Sequence, residues 1–327
     1  MTGKFRVKNF YEGKKVLVAG GTGLIGRPLV EMLRRRDAIV YNASMDGNHR
    51  CDLREFSNCE SACQGKDIVF NLVGVKGSPS ATKKYPARFF TPILQTSINM
   101  MEAARRAKVK HYLYTSTVGV YPPAEVFHEG DMWDGFPSPN DWYAGWAKRM
   151  GELQAAAYAE EFGFRTSIVR PANVYGPWDN FDSETAMVLP SLIARVVEND
   201  GPLTVWGSGA AYRDFIHAED VAAGTMLAVE KGIHEPINLG SGNPVTIADV
   251  AELVAKHAPG GPREIVWDQT MPGGDNQRVM DMTKAAGYGF HARVGLEDGI
   301  RDTIAWYGAN RDAAKNRYIA FNDEAYQ

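Results

Sequence analysis

The chain of 327 residues is long enough to bury a large core and by length suggests about two domains. A formal net charge of −3 with 23% charged residues excludes a basic nucleic-acid binder and an acidic solvating tail, and leaves a small molecule as the expected partner. No run of eighteen apolar residues and no signal-peptide pattern is found, so a cytoplasmic chain without a membrane partner is expected. Cys51, Cys59 and Cys63 are odd in number and lack a histidine pair, which predicts reduced thiols and no metal site.

Residues 1–14 read as a polar lead-in, after which strand and helix patterns alternate; that alternation predicts a parallel sheet covered on both faces. Val16 opens a buried strand that runs into Gly20, Gly23 and Gly26 and then into an amphipathic helix carrying Leu29, Val30 and Leu33. A backbone that turns sharply from strand to helix and lets a pyrophosphate approach needs residues without a Cβ, and the helix N-terminus offers free N–H groups to phosphate. A dinucleotide site is therefore expected here. The next strand, Ala38 to Tyr41, ends at Asn42 and Ser44, where an acidic residue would bond the ribose 2′-hydroxyl. Neither is acidic and Arg50 follows, so NAD and NADP both remain open, with the balance tipped to NADP.

Asp67 to Leu72 is a third buried run, followed by Val73-Gly74. Lys76 to Thr91 reads as a polar, mobile loop, and Pro92 to Lys108 as a helix carrying Asn99. The strand His111–Thr115 leads into Ser116-Thr117-Val118-Gly119-Val120-Tyr121-Pro122. A helix follows over Trp142–Phe162, then a strand at Arg165–Arg170 that enters Pro171-Ala172-Asn173-Val174-Tyr175-Gly176-Pro177. Further on lie a helix signal over Ile216–Lys231, a last buried strand at Glu235–Leu239, and Thr246 as the N-cap of Ile247–His257. A strand around Glu264–Trp267 precedes the segment from Pro272 to Arg278, and residues beyond Asn310 read as a polar tail.

These motifs together resemble the extended branch of the short-chain dehydrogenase/reductase superfamily, the NAD-dependent epimerase/dehydratase family. The resemblance rests on the glycine spacing, on Thr117 four residues before Tyr121, and on the Arg170–Pro177 turn. Asp179-Asn180-Phe181, Val188-Leu189-Pro190, Val205–Gly209 and Arg213-Asp214-Phe215 are most similar to the GDP-fucose synthase group, over roughly residues 15–308. It implies an α/β fold with a Rossmann-type doubly wound parallel sheet and a smaller C-terminal α/β substrate domain. The expected division is 1–176 plus 213–247 for the dinucleotide domain, 177–212 plus 248–310 for the sugar-nucleotide domain, and 311–327 for the tail.

By the same resemblance the dinucleotide would meet Gly20, Thr22, Gly23, Leu24, Ile25 and Gly26 at the turn. Asn42, Asp52 and Leu53 would border its adenosine, with an N-cap as the other reading of Asp52. Leu72, Val73, Gly74, Lys148, Pro171 and Val174 would lie along the nicotinamide half. Asn173, Val188, Trp206, Arg213 and Arg278 would hold a nucleotide sugar, a GDP-sugar before a UDP- or dTDP-sugar; for Arg213 an interdomain salt bridge and for Arg278 a surface charge are the plainer readings. Asn99 would tie its helix to the active-site strand, a structural amide being the plain alternative. Homodimer formation through the helices containing Ile93–Lys108 and Trp146–Phe162 is also implied.

The catalytic expectation is hydride transfer at a sugar carbon, C4 foremost, with Thr117, Tyr143 and Lys148 as the catalytic residues. Family dehydratases place Asp and Glu where Val118 and Gly119 stand, so dehydration is disfavoured. The epimerase pair of Cys and His is replaced by Gly119 and Met187, which disfavours C3/C5 epimerisation. The family's base is a Tyr four residues before the Lys, a spacing that puts both on one helix face. Four before Lys148 stands Ala144, and Tyr143 is one residue early, about 100° around a regular helix. A late helix start or a π-type bulge would return Tyr143 to the site. Otherwise Thr117, Lys148 or water must carry the proton, or the chain is a binding or sensor protein that has lost its acid/base.

Overall fold

The structure is a computed structural model that describes residues 9–46, 50–270, 275–318 and 320. The lead-in up to residue 8, the start of the Pro/Gly segment at 271–274 and the tail beyond 320 lie outside the described residues.

The first half alternates β1 (Lys15–Ala19), α1 (Gly26–Arg35), β2 (Ile39–Ala43), α2 (Phe56–Cys63), β3 (Ile68–Asn71), α3 (Pro79–Lys84), α4 (Pro86–Arg106) and β4 (His111–Thr115). Then come β5 (Val126–Phe127), α5 (Trp142–Phe162), β6 (Thr166–Pro171), β7 (Asn173–Tyr175), α6 (Val188–Glu198) and β8 (Leu203–Trp206). The chain continues with β9 (Tyr212–Arg213), β10 (Phe215–His217), α7 (Ala218–Glu230), β11 (Pro236–Leu239), β12 (Val245–Thr246) and α8 (Ile247–Lys256). It ends with β13 (Ile265–Asp268), β14 (Gln277–Met280), α9 (Thr283–Gly287), α10 (Leu296–Ala309) and α11 (Arg311–Lys315).

Six parallel strands form the central sheet in the order β11-β6-β4-β3-β1-β2. Successive side chains of a strand face opposite sides, so a strand buried on both faces must be apolar along its buried length, as β1 is after the exposed Lys15. Val16 and Val18 pack on one side with Leu29 and Leu33 of α1 and Val221 and Met226 of α7. Leu17 and Ala19 pack on the other with Met100, Met101 and Ala104 of α4 and Cys59 of α2. The expected doubly wound α/β sheet is thus present. A second core joins Leu189, Leu192 and Ile193 of α6, Val250 and Val254 of α8, and Ile300 and Ile304 of α10, over Leu203 and Val205 of β8. Between the two cores runs a small sheet, β12-β9-β14-β5, which sets Arg278 beside Arg213.

Three expectations are corrected. Lys76 to Thr91 is largely helical: Pro79 and Pro86 open helices rather than break them, because the first turn has no need of a proline N–H. Ser78 caps the first of them by accepting from Ala81 N at 3.2 Å, and Pro92 lies inside α4. Asn99 does not reach the active-site strand; its amide donates to Arg54 O at 2.7 Å and so fixes the loop before α2. Finally, the residues just past Asn310 fold back as α11, with Ala314 buried in the second core and Arg311 donating to Val197 O.

Candidate active site

At the carboxyl ends of β1, β3, β4 and β6 opens a cleft of about 360 Å³, the place where open α/β sheets bind ligands. One wall is the turn between β1 and α1. Gly20 has φ +83°, and a Cβ on Gly26 would overlap the Gly20 carbonyl oxygen and the Gly21 backbone. Strand and helix are therefore packed backbone to backbone, and the first turn of α1 has no side-chain cap and no acidic residue. Within that first turn Arg27 N already donates to Gly23 O at 3.1 Å and Leu29 N to Ile25 O at 3.2 Å, and Pro28 has no N–H, so what this end of the helix offers the cleft is the Gly26 N–H and the favourable end of the helix dipole. A dinucleotide fits this wall: the glycines leave room for a pyrophosphate, and buried hydroxyls of Thr115 and Ser116 border the cleft without a protein partner.

The cleft gathers Gly20, Thr22, Gly23, Leu24, Ile25 and Gly26, then Asp52 and Leu53, then Leu72, Val73 and Gly74. Thr117, Lys148, Pro171, Asn173, Val174 and Arg278 complete its lining. Asn42 is not among these residues. Its side chain lies against Gly21 and accepts from Ser44 Oγ at 3.0 Å, so it shapes the turn from behind. Asp52 binds Arg54 through two carboxylate oxygens and accepts from Arg54 N at 3.0 Å, whereas the N-cap of α2 is Glu55.

Sequence reasoning does not reach Asp46, because it lies beyond the strand end where the acidic residue is usually sought. It borders the same end of the cleft and accepts from Thr22 Oγ1 at 3.2 Å. Lys76 is a second such residue. Its ammonium holds both carboxylate oxygens of Asp179 at 2.7 Å and Val174 O at 2.6 Å, spanning the cleft from the β3 side to the β7 side. Nothing in a loop reading points to that span.

Lys148 projects from α5 beneath the cleft, donating to Val73 O at 3.0 Å and Thr115 O at 2.6 Å. Burial lowers its ammonium to about 7, against a smaller upward pull from Glu152 one turn further along. Thr117 is extended and accepts from Gly119 N at 3.2 Å, which leaves its hydroxyl proton to donate. Ala144 lines the same cleft. Helix α5 runs from Trp142 without a bulge, so Ala144 borders the cleft, while Tyr143 does not and is 41% exposed. The helix lies very close to the preceding loop here: a Cβ on Gly145 would overlap Gly119 O and approach Pro137 Cβ to 2.8 Å. Where a side chain at Gly119 would project stands the carboxylate of Asp141, its Cγ at 3.0 Å from that position. Asp141 borders the cleft too.

At the far end Arg278 is clasped by Asp275 and Asp141. Burial disfavours its charge, yet those two carboxylates raise it overall. Its cross-strand neighbour Arg213 donates to Tyr212 O at 2.7 Å and is lowered to about 10, by burial first and by Arg278 second. Arg213 is beside Arg278 on the adjacent strand and is not part of the cleft lining. Val188 opens α6 next to Met187, which does line the cleft. Trp206 is 45% exposed and carries the Arg195 guanidinium 4.9 Å above its ring, away from the cleft. Among the described residues no cluster of metal ligands occurs, and no helix is long and apolar enough to cross a membrane.

Comparison with known proteins agrees with this geometry. Residues 16–240 match the NAD dependent epimerase/dehydratase family. A probable GDP-L-fucose synthase 1 of Oryza sativa subsp. japonica is 33% identical over 318 residues, spanning 93% of this chain and 95% of that protein. A GDP-6-OMe-4-keto-L-xylo-heptose reductase from C. jejuni superposes with a TM-score of 0.82 at 21% identity, over 91% of this chain and 98% of that one. A UDP-glucose 4-epimerase of Thermus thermophilus, solved with NAD, gives a TM-score of 0.76 at 26% identity, over 90% and 98% of the two chains. The chain belongs to the NAD dependent epimerase/dehydratase family, as an NAD(P)-dependent enzyme of that family.

Proposed function

We propose that this protein moves hydride between NAD(P) and a sugar carbon, C4 foremost, of a GDP-linked sugar. The observation that carries the reading is the meeting of Thr117, Ala144 and Lys148 on the cleft wall opened by the Gly20–Gly26 turn. The rice relative's name supplies the GDP-sugar class. Two arginines directly opposite each other on adjacent strands, Arg278 and Arg213, repel unless an anion lies near. In this reading a sugar diphosphate takes up that role in part from Asp141 and Asp275, aided by the polar Asn173 amide. The domain division proposed is 1–176 plus 213–247 for the dinucleotide and 177–212 plus 248–310 for the sugar nucleotide; the two cores cross it, with Met280, Ala285 and Phe290 in the first core and Tyr175, Phe215 and Ile247 in the second.

When bound, the dinucleotide supplies the hydride acceptor or donor. Thr117 donates a hydrogen bond to the sugar oxygen, and Lys148 orients the ribose while its charge favours an anionic oxygen nearby. The proton of the hydroxyl then passes to a group beside Ala144: Thr117, Lys148, Asp141 or water. Asp46 disfavours a 2′-phosphate at the adenosine end, which weighs against the NADP preference read from the sequence. Ile98 on α4 and Leu153 and Phe162 on α5 are about half exposed, which supports a homodimer formed across those helices.

The test is to add GDP-, UDP- and dTDP-sugars to purified protein with NAD or NADP and to follow reduced-nicotinamide absorbance. A change with a GDP-sugar is expected; no change with any sugar nucleotide overturns the reading. A second reading, a sensor that binds both ligands without turnover, is favoured by one observation: Ala144 faces the cleft and Tyr143 does not. It predicts calorimetric binding of both ligands with an unchanged spectrum.

A further inference from the structure

The segment after α11 does not trail into solvent but crosses the mouth of the cleft. Arg317 donates to Trp178 O, on the turn after β7, and Tyr318 N donates to the carboxylate of Asp46, beyond β2. Arg317, Tyr318 and Ala320 line the cleft together with the glycine turn. The crossing is braced on both banks: the Arg27 guanidinium lies 3.5 Å over the Trp178 ring and donates to Thr22 O at 2.9 Å, and the Arg50 guanidinium is 5.5 Å from the Tyr318 ring.

The charge pattern beneath this crossing is uneven. Arg317 lies close enough to both Arg27 and Lys76 to disfavour their charges, so three cations converge from three separate parts of the chain. Lys76 is matched by Asp179 and Arg27 is offset by Asp46. Among the described residues, Arg317 has only a neutral carbonyl as its hydrogen-bond partner. A guanidinium set beside two other cations, lining the same cleft as the N-terminal turn of α1, sits in a field that an anion relieves.

We propose that Arg317 is a phosphate ligand of the dinucleotide, delivered from the chain's last described segment as a strap that closes the adenosine half of the cleft. This rests on the reading that the cleft takes a dinucleotide. The shared chemistry is a phosphate oxygen; its source is the pyrophosphate, common to NAD and NADP, or the 2′-phosphate of NADP alone. The strap also explains why Tyr318 N is tied to Asp46: the same carboxylate that reaches Thr22 on the glycine turn holds the strap in place, so both sides of the site are set together.

The experiment is calorimetry on the full chain and on R317Q and R317K, with NAD, NADP, ADP-ribose and adenosine as titrants. Glutamine can still donate to Trp178 O, so the strap keeps its anchor while the charge is removed. A charge-assisted hydrogen bond contributes about 1.5–3 kcal/mol, so R317Q is expected to bind NAD and ADP-ribose roughly 10- to 100-fold more weakly. Adenosine should bind as before, and R317K should recover part of the loss. A loss confined to NADP assigns the 2′-phosphate; a loss shared by NAD and ADP-ribose assigns the pyrophosphate. The proposal is overturned if R317Q binds all four titrants like the parent, or if adenosine weakens equally, which marks a purely structural role. Failure of the parent itself to bind either dinucleotide removes the dinucleotide reading instead. As a second readout, hydrogen exchange at Tyr318 N should slow when NAD is added to the parent and not when it is added to R317Q.

Discussion

Glu152 and Arg170 hold each other in the interior through two parallel hydrogen bonds, Nε to Oε1 at 3.0 Å and Nη2 to Oε2 at 2.6 Å. Both side chains are almost wholly buried. The remaining guanidinium nitrogen donates to Tyr121 OH and to Glu129 O, each at 2.8 Å. Burial lowers the guanidinium's affinity for its proton, but Glu152 outweighs it and raises the value overall. Through this pair α5, which carries Lys148, is tied to β6, which ends at Pro171, and to the loop that carries Thr117. Removing one partner leaves a buried charge unpaired, which costs about 3–5 kcal/mol. Glu152→Ala should therefore lose that much stability in urea titrations and weaken dinucleotide binding; a loss under about 1 kcal/mol would show that the pair is not what aligns these elements.

The glycine turn separates two kinds of damage. Gly26→Ala places a methyl into the Gly20 carbonyl and Gly21 backbone, so the strand-helix junction itself must move. A Cβ on Gly23 meets only Gly20 O, at 3.3 Å. The expected result is that G23A keeps its circular dichroism and melting temperature while losing dinucleotide affinity at least about tenfold, whereas G26A loses both. Equal melting temperatures for G26A and the parent would contradict the backbone contact.

Ala144 and Tyr143 make opposite predictions. Ala144→Tyr introduces a phenol on the cleft wall one helical turn before Lys148, and should raise hydride transfer to a GDP-sugar by about 10²- to 10⁴-fold if proton transfer limits it. Tyr143→Phe should leave the rate within about twofold, since Tyr143 does not line the cleft. A large loss in Y143F, measured by nicotinamide absorbance, would restore Tyr143 as the base.

Lys148 should leave a signature in stability against pH. Its pKa is lowered from the ordinary lysine value to about 7, so between about 7 and the ordinary value near 10.4 the unfolded chain binds the extra proton. Stability contributed through this group therefore rises with pH across that window and is flat below it. In Lys148→Met the rise disappears. The melting temperature of the parent relative to K148M should thus climb by several degrees from pH 7 to pH 9.5; a constant difference would mean that the ammonium is not desolvated.

Much of the sheet is legible in the sequence because parallel strands buried on both faces read as continuous apolar runs, and Ile68–Asn71 and His111–Thr115 have no polar residue to blur them except at their ends. Thr246 is legible as a cap because its partner Asp249 is local, and the two form a capping box. What stays hidden depends on contacts between distant residues. The Lys76–Asp179 bridge joins residues 103 apart, and the strap contact of Tyr318 with Asp46 joins residues 272 apart. The prolines at 79 and 86 mislead because the same residue ends one helix and starts another, and only the cap at Ser78 tells which. Arg213 and Trp206 keep their family spacing but not a place on the cleft wall, since spacing fixes neither side-chain direction nor depth.

The contact between Gly145 and Gly119 also works as a key that admits only one threading of the helix. Sliding α5 by one residue to bring Tyr143 where Ala144 stands would carry the Ala144 methyl into the Gly119 carbonyl and put Ala147 where Lys148 now reaches Val73 and Thr115. An insertion or deletion ahead of the helix therefore gives no route back to a phenol in this cleft, because the lock is set after it. Only a change of residue at 144 itself can supply one.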